Sequence, residues 1–269
     1  MLGSASPAET PAMLTADELA RFHRDGFVGP FSLCEPEEMS ALREQFAAIF
    51  APQGTEEAVP TMIAKLNSDM QKGFGRHHEF RFLFDIANCA AIKGRVQSIL
   101  GENLLLWRTM FFNKGPGSGQ VPWHQDFDDW ELEPMVVTSC WLAIDEAGLD
   151  NGCVELIPGS HRRIYRMVKT EGHILDGFPR MSDPEEFDDS KVVPMQLKPG
   201  EFFLFNERVL HRSQPNNSDK QRLGMTMRYI PTMVRTLDPS DRPILVGGHD
   251  AFGMNPLVEP VAETGAGQS

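Results

Sequence analysis

The chain of 269 residues carries 38 acidic against 25 basic side chains, a formal net charge of −13, and is 41% hydrophobic. Such a surplus of acid argues against a nucleic-acid or anionic-membrane partner, since both are polyanions, and no apolar run reaches the roughly 18 residues of a membrane span. The length suits one domain with a core of ordinary size, so neither disulfide nor structural metal is needed merely to fold. Cys34, Cys89, Cys140 and Cys153 lie far apart with no C-x-x-C spacing. The first residues, MLGSASPAETPAMLT, hold neither a basic region nor an apolar stretch of signal-peptide type. Free thiols and a cytoplasmic location are therefore expected.

Residues 1–14 are small, Pro-containing and unpatterned, and read as a loose tail. Thr15-Ala-Asp-Glu18 is a capping box that opens a helix ended by Gly26. FVGPFSL at 27–33 is a short strand interrupted by Gly-Pro. A second helix is predicted over 36–50, with Met39, Leu42, Phe46 and Ile49 at helical steps. Residues 51–78 are mixed in character. Helical patterning resumes from Arg81 to Leu100 and stops at Gly101. From 104 onward short β-rich runs alternate with turn residues: LLLWRTMFF, VVTSCWLAID, GCVELIP, VVPMQL, EFFLF and LGMTMRYIP. Residues 166–190 are polar and acidic and read as a long lid or binding loop. The expected fold is mainly β with packed helices. It is a double-stranded β-helix, jelly-roll and cupin-like, preceded by N-terminal helices. One domain covers 15–240, and 241–269 is a C-terminal extension ending in disorder.

Trp123-His124-Gln125-Asp126 places an imidazole and a carboxylate two residues apart, on one face of an extended backbone. Both can reach a single ion at roughly 2.0–2.2 Å. His211 follows the strand-like EFFLFNERVL. Two imidazoles and one carboxylate make the facial arrangement of non-haem Fe(II) oxygenases, with three positions left open. H-x-D alone is common by chance, and the downstream order gives it weight. Eleven residues after His211 stands Arg222, whose planar guanidinium suits bidentate capture of a carboxylate. A dicarboxylate co-substrate can chelate the metal at one end and meet Arg222 at the other.

His124-x-Asp126, His211 and Arg222 resemble the Fe(II)/2-oxoglutarate dioxygenases of the phytanoyl-CoA dioxygenase family. The likeness is nearest to its aliphatic halogenase branch, typified by the syringomycin threonine chlorinase. It is carried by DGFVGPF at 25–31, PEEM at 36–39, SILG at 98–101, WRTMFF at 107–112, WHQ at 123–125, IPGS at 157–160, VPMQLKPGEF at 193–202 and MRYIP at 227–231. The resemblance implies Fe(II) on His124, Asp126 and His211, with 2-oxoglutarate and O2 as co-substrates. In the halogenases alanine or glycine replaces the carboxylate ligand and halide takes its place. Asp126 is present here, so hydroxylation is implied. Trp141 and Phe112 match residues beside the 2-oxoglutarate pocket, or are simple core, and Ser213 is placed with them. The hydroxyl that precedes WHQ in the chlorinase is missing, with Val121 in its position. Asn113, standing for a proline, is the expected substitute contact. Arg76 and His77, with His78, resemble a segment of the chlorinase, and are expected either to contact substrate or to pair with acids such as Glu79 or Asp85. Asp128 and Trp130, directly after the metal motif, are expected at the site mouth. There they would recognise a cationic substrate group, with the indole face as platform.

The function expected is hydroxylation of an unactivated aliphatic C–H in a small polar metabolite of amino-acid or aminophosphonate type. The alternative is an aminoacyl group tethered to a carrier protein, which would dock on the basic cluster Arg162, Arg163, Arg166 and Lys169. A rival of another class is a non-enzymatic jelly-roll binder, which would bind without forming succinate.

Overall fold

The computed structural model describes residues 12–49, 73–172, 174, 175 and 178–262. The expected helix over 16–25 is present as α1 (Ala16–Asp25). Its capping box closes as the sequence dictates: Glu18 N donates to Thr15 Oγ1 at 3.3 Å, and Thr15 N donates to Glu18 Oε2 at 2.8 Å. Gly26 ends the helix at φ +88°, and a Cβ there would lie 2.6 Å from the His161 ring. After β1 (Phe27–Ser32) comes α2 (Pro36–Ile49), whose Met39, Leu42, Phe46 and Ile49 are all buried. The helical stretch after Arg81 is two helices, not one. They are α3 (Arg81–Ala87) and α4 (Ala90–Leu100), separated at Asn88 and Cys89, where Cys89 is extended at φ −64°, ψ 151°. A continuous 3.6-residue pattern does not register a single extended residue. Among the described residues no helix is long and apolar enough to cross a membrane.

The strands follow as β2 (Leu104–Lys114), β3 (Val121–His124), β4 (Leu132–Glu133), β5 (Thr138–Ala143), β6 (Val154–Leu156), β7 (Met167–Lys169) and β8 (Arg180–Ser182). Then come β9 (Val193–Met195), β10 (Glu201–Asn206), β11 (His211–Ser213), β12 (Arg222–Pro231), β13 (Arg235–Thr236) and β14 (Ile244–Gly247). A six-stranded sheet in the order β1-β10-β5-β12-β2-β14 faces a four-stranded sheet, β3-β11-β6-β9, and every ladder is antiparallel. This is the expected double-stranded β-helix with N-terminal helices.

Alternation along the strands divides the core. Cys140 and Leu142 of β5, Phe202 and Leu204 of β10, and Met225 and Met227 of β12 pack outward with Phe22, Met39, Phe46, Leu83 and Ile92 of the helices. Trp141, Ala143, Phe203 and Phe205 point inward and meet Val154, Leu156 and Met195 of the smaller sheet. The large sheet is covered on both faces, so its strands read as unbroken apolar runs. Three further sequence expectations are corrected. Leu14, assigned to the tail, is buried and its N–H donates to Ser98 Oγ at 2.9 Å. The presumed loop 166–190 contains the hairpin β7–β8. The sheet continues past residue 240, because β14 pairs with β2. The end of the extension assigned to disorder, 263–269, lies outside the described residues.

Candidate active site

His124 ends β3 and His211 begins β11, and the two are direct register partners across the antiparallel ladder. Their rings therefore stand side by side, 4.1 Å between centroids. Each Nδ1 is fixed by a backbone carbonyl two residues earlier: His124 Nδ1 to Pro122 O at 2.8 Å, and His211 Nδ1 to Val209 O at 3.0 Å. A carbonyl accepts, so each Nδ1 carries a proton, and in the neutral ring each Nε2 presents a bare lone pair. Both lone pairs face Asp126 Oδ1, at 3.5 and 3.7 Å. These separations are too long for hydrogen bonds. Three acceptors converging without a proton between them repel one another, and a cation placed among them removes the repulsion. The donor set, three ligand atoms within 4.8 Å of one another, fits a divalent metal with two nitrogens and one oxygen.

The electrostatics agree with that geometry. Burial, then the neighbouring His124, push the His211 imidazole down to about 4, which keeps it neutral and able to donate its lone pair. Burial opposes the charge of Asp126. The Arg228 guanidinium outweighs it and holds the carboxyl well below its usual range. Gln125, between the two motif ligands, points the other way and anchors the segment. Its Nε2 donates to Arg163 O at 2.8 Å and to Arg208 O at 2.5 Å, and its Oε1 accepts from Tyr165 N at 3.1 Å. Leu210 N donates to Ser160 Oγ at 2.8 Å, which fixes the approach to His211.

A cavity runs from these residues into the barrel, lined among others by Phe112, Trp141, Ser213 and Arg222. Arg222 is 1% exposed, has a buried Nε without a hydrogen-bond partner, and pairs with no carboxylate among the described residues. Burial lowers its guanidinium to about 10, still charged at neutral pH. A buried unpaired cation is costly, and the cavity it lines is where a counter-anion would meet it. Its register partner Lys114 is also buried and is spent on backbone, donating to Ser213 O at 3.1 Å and to Gln214 O. Burial and the adjacent Arg222 push Lys114 down to about 6.

Trp141 lies against β12 at Gly224, with Arg222 Cζ 5.4 Å from its ring. A Cβ on Gly224 would stand 2.1 Å from Trp141 Cζ2. Gly224→Ala is therefore expected to drive the indole into the cavity and to weaken 2-oxoglutarate binding by about 1–3 kcal/mol, roughly fivefold to a hundredfold. Calorimetric titration of the metal-loaded variant checks this.

The other expected site residues fare differently. Asn113 follows Phe112 on β2 and so points to the opposite face, where it accepts from Gln221 Nε2 at 2.5 Å; it does not line the cavity. Arg76 pairs with Glu79 at 2.7 Å, and His77 is fully buried with Nδ1 2.9 Å from Thr109 Oγ1. Thr109 lies on the face of β2 away from Phe112, so His77 is core and neither residue lines the cavity. Trp130 is 9% exposed in a cluster with Leu105, Trp107 and Ile230, and its face is occupied by the protein's own Arg228, 4.8 Å away. It is no platform for a substrate cation. The side chain of Asp128 lies outside the described residues. Thr226, which lines the cavity together with Arg228, carries no signal of its own in the sequence except its inward alternation with Arg222 and Gly224 on β12.

A model of the family described as phytanoyl-CoA dioxygenase matches residues 22–224, well over half of the chain. The chain belongs to the phytanoyl-CoA dioxygenase family. It is thus an Fe(II)/2-oxoglutarate-dependent oxygenase, and its donor set and buried arginine suit that metal and co-substrate. Among curated relatives, phytanoyl-CoA dioxygenase domain-containing protein 1 of Danio rerio is 26% identical, over 81% of this chain and 90% of that protein. The dioxygenase lolE1 of Epichloe uncinata is 27% identical over about half of each chain, 50% and 49%. The solved structure of CytC3 superposes with a TM-score of 0.72 at 25% identity, over 93% of this chain and 94% of that one. EctD from S. alaskensis, solved with 2-oxoglutarate and 5-hydroxyectoine, has the same fold: TM-score 0.68, 20% identity, and 94% and 90% coverage.

Proposed function

We propose that this family member hydroxylates an unactivated aliphatic C–H of a small free metabolite. In this reading His124, Asp126 and His211 hold the iron. Arg222 binds the distal carboxylate of 2-oxoglutarate, with Trp141, Phe112 and Ser213 lining its pocket. The observation that carries the proposal is the pair of Nε2 lone pairs aimed at Asp126 Oδ1, in one cavity with a buried guanidinium that pairs with no carboxylate among the described residues. Bound iron supplies the oxidation of the co-substrate and the activation of oxygen. The chain's own residues fix both imidazole tautomers, hold the carboxylate ionised, pair the far end of the co-substrate and keep bulk water from it.

Hydroxylation rather than halogenation rests on Asp126. In the halogenase branch that this sequence resembles, the carboxylate position is vacant for halide; here a carboxylate fills it. Wild-type enzyme turning over in excess chloride is expected to add one oxygen and no chlorine, read from product mass and isotope pattern. Asp126→Gly is expected to lose most hydroxylation. A chlorinated wild-type product would refute the role given to Asp126.

A free small polar substrate, of the amino-acid or aminophosphonate kind, is favoured over a carrier-tethered one by the state of the basic cluster. Arg163 is paired with Glu186 at 2.9 Å, Arg166 with Asp183, and Arg162 donates to His23 O at 3.2 Å. Two of its four charges are already matched by acids, which leaves less to attract an acidic carrier. The test is a substrate screen of the iron-loaded protein that reads succinate and product mass together. Binding without succinate would favour the non-enzymatic alternative.

A further inference from the structure

We infer that Arg228 is a positioning residue that makes Asp126 a one-oxygen ligand by holding the carboxylate's other oxygen away from the metal. The inference rests on the metal centre proposed at His124, Asp126 and His211. The two oxygens of Asp126 have different surroundings. Oδ1 faces both imidazole nitrogens, at 3.5 and 3.7 Å, whereas Oδ2 lies 3.3 Å from Arg228 Nη2. Arg228 is 4% exposed, and Asp126 is its one carboxylate partner among the described residues.

The guanidinium is held in place from behind. Arg228 and Arg108 are register partners on β12 and β2, so two like charges sit side by side on one face. Each lies on an indole: Arg228 Cζ is 4.8 Å from the Trp130 ring, and Arg108 Cζ is 4.2 Å from the Trp107 ring. The indoles meet edge to face, 5.2 Å apart at 80°. Arg108 is drawn the opposite way, bonded to Asp241 at 2.8 Å and Asp238 at 3.4 Å. Arg108 therefore has its own acids, and Asp126 is left for Arg228. The row of groups runs from the proposed metal centre to the C-terminal segment and fixes the direction of the Arg228 side chain.

The consequence lies in the number of open positions. Two imidazoles and one carboxylate oxygen leave three of six positions free. Carboxylates also bind through both oxygens when nothing restrains the second, and that would close one of them. Trp130, expected from sequence to face substrate, on this account acts through Arg228 as its floor.

Arg228→Met keeps the length of the stem and its packing on Trp130 but removes the donor. With Mn(II) as probe, water-proton relaxation counts the waters on the bound ion. The Met variant is expected to hold one water fewer than wild type, and Arg228→Lys, which restores a donor, to regain it. Arg228→Leu serves the same test should the Met variant not fold. A purely structural role would lower the melting temperature and leave the count unchanged. The same water count in the Met or Leu variant as in wild type, with Mn(II) bound, overturns the inference. Failure of wild type to bind Mn(II) at the site would instead overturn the metal centre itself.

Discussion

His211→Ala is expected to abolish both iron retention and turnover. The side chain supplies one of three converging donors, and its Nε2 is the lone pair 3.7 Å from Asp126 Oδ1. Without it two ligands remain on one short segment, His124 and Asp126, and the partner strand β11 contributes nothing. The imidazole also packs its ring 5.2 Å from Phe205 and bonds Val209 O, so a melting curve accompanies the metal assay. A folded variant that kept full activity would remove His211 from the ligand set. Metal content after desalting and succinate release are the two measurements.

Arg222→Ala is expected to raise the 2-oxoglutarate dissociation constant by roughly two orders of magnitude or more. Removing one partner of a buried charge pair costs about 3–5 kcal/mol, at about 1.4 kcal/mol per tenfold. A cost in this range is expected because Arg222 is 1% exposed and pairs with no carboxylate among the described residues. Iron retention is expected to survive, since Arg222 is not one of the three metal donors. That split between metal and co-substrate affinity is what calorimetry on the metal-loaded variant would read. An unchanged constant would move the anion to Lys114 or Arg228. Neither is as available, because Lys114 is bonded to two carbonyls and Arg228 to Asp126.

The parts of the site legible in sequence were those whose chemistry depends on spacing. H-x-D on an extended segment brings two donors to one face, and a histidine followed eleven residues later by arginine places a ligand and an anion partner on consecutive strands. The fold was legible from short β runs behind helices with a clear capping box. What could not be read depends on which neighbour a strand meets. Arg228 inside MRYIP has the appearance of any strand residue until β2 sets Arg108 beside it and β4 and its flanks bring Trp130 beneath it. Trp130 follows the metal motif in sequence, yet an indole is large and mostly apolar, and it was drawn into the Trp107 cluster rather than the mouth. Asn113 was within reach of simple alternation, since Phe112 and its successor cannot share a face. The break at Cys89 was hidden because Ala90 resumes the helical pattern at once.

The most direct test of the central claim uses wild-type enzyme loaded with Fe(II), given 2-oxoglutarate, 18O2, excess chloride and a pool of small metabolites, and analysed by mass spectrometry. The account predicts succinate carrying one 18O and a metabolite that has gained a single 18O, in step with each other, with no chlorine isotope pair. Iron bound at the site with no succinate formed, or a chlorinated product, would contradict it.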